Sequence, residues 1–332
     1  MQINVLGAGS WGSALAVAVS HVADVTIWSH QDEHVRYLSQ HRNNPKYLPA
    51  DIFFANNVTF SSNLADCIQA DLLIIATPLN AIREVVRSLQ QLTTNLPDLL
   101  LVSKGFEAQT GYLPHQILAE ELPEFENYGL LIGPSFAKEV ALSLPTAITL
   151  VSPQIEFAIN WMNKLQDIPN FRIYAHDDVV GSEVGAAVKN VLAIAVGISD
   201  GLELGYNARA ALITRSLSEL ASLVLALGGK RETIYGLTGI GDLILTCTGD
   251  LSRNRTVGQE LAKGHSIEDV VKSLGHVAEG VSTAREIYHK AKQLHIDMPI
   301  VESVYRIIYE QTNIKQEVLR LLNRQPRSEF GE

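Results

Sequence analysis

The residues Gly7-Ala8-Gly9-Ser10-Trp11-Gly12 stand between an apolar, β-branched run at positions 3–6 and a small-residue helical run at 13–20. A glycine-rich turn in that setting constrains a chain strongly, because each glycine has its own steric duty. Gly7 permits the tight turn, Gly9 lets backbone approach a pyrophosphate, and Gly12 lets the helix pack closely on the strand. The helix start that follows offers unpaired N–H groups and the positive end of the helix dipole to an anion. A dinucleotide is the expected ligand, and a chance glycine-rich loop is the competing explanation.

The rest of the first half agrees with that reading. Short apolar runs at 25–28, 58–60, 72–76, 99–102 and 129–132 alternate with helical segments, and 146–151 and 171–174 add two further strand candidates. Alternation of this kind builds a doubly wound, mainly parallel sheet of Rossmann type. The runs lack a two-residue polar alternation, as expected of strands covered by helices on both faces. From about Gly181 the texture changes to long apolar stretches at helical spacing, 186–198, 210–227 and 300–309. The expected organisation is a dinucleotide-binding domain at 1–180 followed by an all-helical substrate domain at 181–332.

A chain of 332 residues is long enough for two such domains. Its net charge of -10 argues against a nucleic-acid surface, so any phosphate site must be local. The two cysteines, Cys67 and Cys247, belong to no paired motif, and His30 with His34 has no third ligand nearby, so neither a disulfide framework nor a metal site is expected. The chain opens on Met1-Gln2 and an apolar strand without a cationic leader, and the apolar stretch 184–198 is interrupted by Lys189, Asn190 and Gly197. A buried helix rather than a membrane span, and a cytoplasmic location, are expected.

Several residues carry possible chemistry. Lys104 follows the fifth strand, where the carboxyl ends of parallel strands face a ligand crevice, and suits a phosphorylated substrate; a solvated loop lysine is the alternative. Gly133 and Ser135 follow the sixth strand and offer hydrogen bonds to a ligand, unless Ser135 simply caps a helix. Lys189 interrupts an apolar helix, where a charge is costly unless paired or deprotonated. Burial lowers a lysine pKa towards neutrality, as proton exchange with a carbinol oxygen requires; a stem snorkelling to water is the alternative. The glycine-rich stretch 236–241 delivers Asp242 to a helix start, with Thr246 one turn on, so Asp242 is placed to orient Lys189 or merely to cap. Ser252, Arg253 and Arg255 combine a cap, a helix N-terminus and two guanidinium groups in a span suited to phosphate; a solvated basic helix start is the alternative.

Cofactor choice depends on the end of the second strand, Trp28-Ser29-His30. An NAD-selective site usually carries a carboxylate there for the ribose 2′-hydroxyl. Its absence leaves a 2′-phosphate unrepelled, with Ser29 and His30 available to bond it, while Asp32 and Glu33 lie close and oppose it.

The blocks GAGSWG, SKG at 103–105, GPSFAKEV at 133–140, AAVKNVLAIAVGI at 186–198, GLTGIGDLILTC at 236–247, SRNR at 252–255 and AEGV at 278–281 together resemble the bacterial-type NAD(P)-dependent glycerol-3-phosphate dehydrogenases. The resemblance implies reversible reduction of dihydroxyacetone phosphate to sn-glycerol 3-phosphate, a precursor of glycerophospholipids, with Lys189 as proton donor and acceptor. It implies that Lys104, Gly133, Ser135, Asp242, Ser252, Arg253 and Asn254 line the substrate. Ser10, Trp11, His30, Lys104, Ala137, Arg253 and Glu279 are implied to meet the cofactor, NADP or NAD, beside Gly7, Gly9 and Gly12. His30 departs from the arginine that members of the family often carry there. The 252–255 span argues against a hydroxy-acid or ketopantoate-type dehydrogenase, and a silent redox sensor would have little need for both Lys189 and Asp242. A homodimer is the base-rate assembly.

Overall fold

The structure is a computed structural model and describes residues 1–274, 278–325 and 328. Its first half carries eight strands: β1 (Gln2–Leu6), β2 (Asp24–Trp28), β3 (Val58–Ser61), β4 (Leu72–Ile75), β5 (Asp98–Leu101), β6 (Tyr128–Ile132), β7 (Thr146–Val151) and β8 (Phe171–His176). They form one sheet in the order β3-β2-β1-β4-β5-β6-β7-β8. All eight expected runs are strands, within two residues of the expected ends. The first six follow the doubly wound nucleotide-binding order, in which the chain reverses its winding direction beside β1 and opens a crevice there. One pair departs from parallel: β7 runs antiparallel to β6, and β8 is then parallel to β7.

The sheet is apolar because both faces are covered. Ile3, Val5, Ile74 and Leu100 point into one buried layer with Leu15, Leu38 and Trp161, while Leu6, Leu73, Ile75 and Leu101 point into the other with Ile82, Val86 and Ile117. Two successive residues on one strand thus reach opposite cores, which is why no polar alternation survives in the sequence.

After β8, no strand occurs among the described residues. Asp178 ends the sheet region by accepting from the backbone N–H of Gly181 at 2.9 Å and of Lys230 at 2.8 Å, starting the helix Val179–Gly201. This helix is long and apolar enough to cross a membrane by length and composition, yet 94% of its apolar window is buried inside the protein. It is the axis around which the helices Gly205–Ala226, Asp242–Thr248, Arg253–Ala262, Glu279–Gln293 and Pro299–Tyr309 pack. Glycines make the tightest of these contacts possible. A Cβ on Gly197 would lie 2.0 Å from the Arg255 carbonyl oxygen, and one on Gly258 would lie 2.0 Å from that of Ile194, so the backbones of Val179–Gly201 and Arg253–Ala262 touch.

Candidate active site

The turn after β1 has the shape its glycines require. Gly7 adopts φ +123°, and a Cβ there would lie 2.7 Å from the Ala76 carbonyl oxygen. A Cβ on Gly12 would lie 1.9 Å from the Gly7 carbonyl oxygen, so the helix Ser10–Val19 rests directly on the turn. Gly9 differs from both: nothing lies within 4 Å of where its Cβ would stand, and no side chain caps the helix it begins. A helix N-terminus with free N–H groups, opening onto space above a glycine, fits the pyrophosphate of a dinucleotide. Ser10 and Trp11 form the first turn of that helix, and the buried Trp11 Nε1 has no hydrogen-bond partner. Ala137 begins the short helix Ala137–Ala141, which packs against Ser10–Val19. His30 is exposed just past β2, its ring 6.4 Å from that of Trp28, with Asp32 and Glu33 exposed in the first turn of the next helix.

The loops after β5 and β6 meet the helical half. Ser103 donates to the Thr77 carbonyl at 2.6 Å, tying the loop after β5 to the end of β4. Gly105 lies against Thr283 of the helix Glu279–Gln293, 3.1 Å from its Oγ1 as measured from a Cβ position. Between them, Lys104 reaches across to Asp242, its Nζ donating to Oδ2 at 3.2 Å. Beyond β6, Pro134 and Phe136 abut Gly241 and Gly249, at either end of the helix Asp242–Thr248. Ser135 is not a cap: its hydroxyl donates to the Gly133 carbonyl at 3.1 Å, and Phe136 holds the cap position without a side-chain bond.

Lys189 lies in the middle of Val179–Gly201, only 6% exposed. Its Nζ donates to Asp242 Oδ1 at 2.6 Å and to Thr246 Oγ1 at 2.9 Å, so the ammonium does not snorkel to water. Asp242 is the first residue of its helix and makes no side-chain cap bond; Gly241 holds the cap. The whole carboxylate serves two lysines. Burial is the larger influence on Lys189 and pushes its ammonium down to about 8, partly countered by the Asp242 charge and reinforced by the nearby Lys104. A group that titrates there can both give and take a proton near neutral pH.

The helix Arg253–Ala262 begins beside it. The Ser252 hydroxyl accepts from the Arg255 N–H at 3.3 Å, as the expected cap. Arg253 points outward and is exposed. The Asn254 side-chain Oδ1 accepts from the Gly280 N–H at 3.0 Å, which leaves its amide NH2 for a ligand. Arg255 corrects the sequence reading. Its guanidinium is buried and bound to Asp200 at 2.7 Å and Asp250 at 2.9 Å, because a residue two positions after Arg253 faces the opposite side of a helix. It is therefore no phosphate ligand. Glu279 begins the helix Glu279–Gln293 and is exposed, with the Asn190 amide 3.4 Å from its Oε2. Among the described residues, no group of three or more histidine, cysteine or acidic side chains is placed to hold a metal.

A doubly wound dinucleotide unit, with a buried lysine–carboxylate pair tied through Lys104 to the loop at the carboxyl end of β5, defines a nicotinamide-dependent dehydrogenase. Models for the N-terminal and C-terminal parts of NAD-dependent glycerol-3-phosphate dehydrogenase match residues 2–158 and 178–319. The chain belongs to the NAD-dependent glycerol-3-phosphate dehydrogenase family, and is an oxidoreductase using NAD(P). It is 49% identical to glycerol-3-phosphate dehydrogenase [NAD(P)+] of Aromatoleum aromaticum, over 99% of this chain and 100% of the relative. It is 48% identical to the same-named protein of Dechloromonas aromatica, over the full length of both. The crystal structure of glycerol-3-phosphate dehydrogenase from Coxiella burnetii superposes with a TM-score of 0.92 at 38% identity, covering 97% of this chain and 99% of that one.

Proposed function

We propose that the chain reduces dihydroxyacetone phosphate reversibly to sn-glycerol 3-phosphate, and that Lys189 is the group that exchanges the proton. The observation that carries this reading is the buried Lys189 ammonium held 2.6 Å from Asp242, with Lys104 on the other carboxylate oxygen. A bound reduced nicotinamide supplies the hydride. Lys189 gives its proton to the ketone oxygen as the carbon is reduced, and the neutral amine takes it back in the reverse direction. Asp242 orients Lys189 and stabilises its charged form; Thr246 accepts the ammonium's second hydrogen bond. Lys104, Arg253, the Asn254 amide and the Ser252 helix start are assigned to the phosphate and hydroxyl groups of the substrate, with Gly133 and Ser135 bounding the same space.

Gly7, Gly9, Ser10, Trp11, Gly12 and Ala137 are assigned to the dinucleotide, His30 to the ribose side, and Lys104, Arg253 and Glu279 to the part near the substrate. We assign residues 1–180 to the cofactor unit and 181–332 to the substrate unit. The product suits glycerophospholipid synthesis, and the two buried, unpaired cysteines accord with a reducing cytoplasm. A homodimer is the proposed assembly, testable by sedimentation. The deciding assay follows the loss of reduced-nicotinamide absorbance with purified protein and dihydroxyacetone phosphate, with NADPH and NADH in parallel. Oxidation dependent on the ketone phosphate is expected; cofactor binding without oxidation would overturn the reading.

A further inference from the structure

The first turn of the helix Arg253–Ala262 is held from the side opposite its exposed face. Asp200, near the end of Val179–Gly201, accepts from Arg255 Nε at 2.7 Å through one oxygen and from Arg209 Nε at 2.6 Å through the other. Its side chain is 7% exposed and that of Arg255 10%, whereas Asp250, the second partner of Arg255, is almost fully solvated. Asp200 is thus the buried anchor and Asp250 the exposed one. A solvated ion pair restrains little, while a buried carboxylate with two guanidinium donors restrains both of them.

The consequence for the neighbouring residues is geometric. Successive helical residues turn by about 100°, so the angular position of Arg255 sets those of Asn254 and Arg253. With Arg255 gripped by Asp200 and Asn254 bound to Gly280 on a second side, the direction left for Arg253 is outward. The same helix is pressed backbone to backbone on Val179–Gly201 at Gly197 and Gly258, which sets its distance and puts Arg255 on the packed face, where Asp200 holds the side chain. Asp200 lies eleven positions, about three turns, after Lys189 on one rigid helix. A single element therefore carries both the proton-exchanging group and the anchor of the proposed phosphate clamp.

We infer that Asp200 is a positioning residue for substrate phosphate, acting through Arg255 to aim Arg253 and the helix N-terminus. The inference rests on the assignment of Arg253 to the substrate phosphate. Asp200→Asn and Arg255→Lys are compared with Arg253→Ala by measuring kcat and KM for dihydroxyacetone phosphate, competitive inhibition by inorganic phosphate, and the thermal midpoint. Asp200→Asn is expected to raise KM and the phosphate inhibition constant in parallel, on the order of tenfold, with kcat little changed. Asp200→Glu is expected to recover part of the loss. A lowered thermal midpoint with unaltered KM and phosphate inhibition in both Asp200→Asn and Arg255→Lys would make the network merely structural and overturn the inference. Should Asp200→Asn fail to fold, Arg255→Lys, which keeps the charge but not the fork, decides by the same two constants. An Arg253→Ala variant with unchanged KM would instead remove the underlying clamp assignment, so the two failures are distinguishable.

Discussion

Lys189 shows how much a single residue in an improbable place can say. A lysine on an apolar helix is costly, and the structure meets that cost with one carboxylate shared between two ammonium groups. Replacing Lys189 with Ala should abolish turnover while leaving the NADPH dissociation constant, read by fluorescence titration, nearly unchanged; loss of cofactor binding would remove its proton role. The pH dependence has a definite sign. Ketone reduction needs the protonated ammonium, whose population falls as pH rises through about 8, so single-turnover reduction should decline there and alcohol oxidation should rise. A flat profile in both directions would assign the proton to another group. The glycines of the first turn divide in a similar way. Gly12→Val should unfold the turn, since even its Cβ lies 1.9 Å from a carbonyl oxygen. Gly9→Val has open space, so it should fold with an unshifted thermal midpoint yet bind NADPH poorly, by occupying the room meant for the pyrophosphate.

At the scale of elements, the contact between Val179–Gly201 and Arg253–Ala262 decides the distance between proton donor and clamp. Gly197→Ala inserts a methyl group 2.0 Å from a backbone oxygen, so the helices must separate. The expected result is a loss of about 1–3 kcal/mol in chemical denaturation, with a raised KM for the ketone phosphate. A second joint is made by Glu219, whose buried carboxylate accepts from the N–H groups of Ile300 at 2.7 Å and Val301 at 3.1 Å. It caps the start of Pro299–Tyr309 from a different helix, and burial pushes its carboxyl up to about 8 against the pull of those N–H groups. Glu219→Ala orphans both donors and should cost about 1–3 kcal/mol of stability while leaving kcat per folded molecule unchanged. Unaltered denaturation would mean that the helix start finds other partners.

For the whole molecule, the residues of the proposed site come from loops of the sheet and from three helices, so neither half holds it by itself. Lys104 comes from the loop after β5, Lys189 and Asp242 from two helices 53 residues apart in sequence, and Arg253 from a third. NADPH that binds only the folded state should raise stability by about 2.7 kcal/mol at a hundredfold excess over its dissociation constant. Thermal melts at graded NADPH would test this, and an unmoved midpoint would count against the dinucleotide crevice.

The strands, the glycine turn and the apolar helix were legible in the sequence, because each depends on contacts within a dozen residues: β-branched runs, glycine sterics and helical spacing. Lys104, Lys189 and Asp242 could be singled out for the same kind of local reason, a charge or glycine cluster out of keeping with its neighbours. Three things only the tertiary structure decided. The reversed β7 follows from how its connection returns to the sheet, which no local pattern records. Arg255 turns away from the ligand side because Asp200, 55 positions distant, pairs with it. The sharing of Asp242 between two lysines needs a contact spanning 138 residues. Composition and periodicity determine which elements form; which side chains meet depends on how those elements pack, and the directions of buried charges are set there.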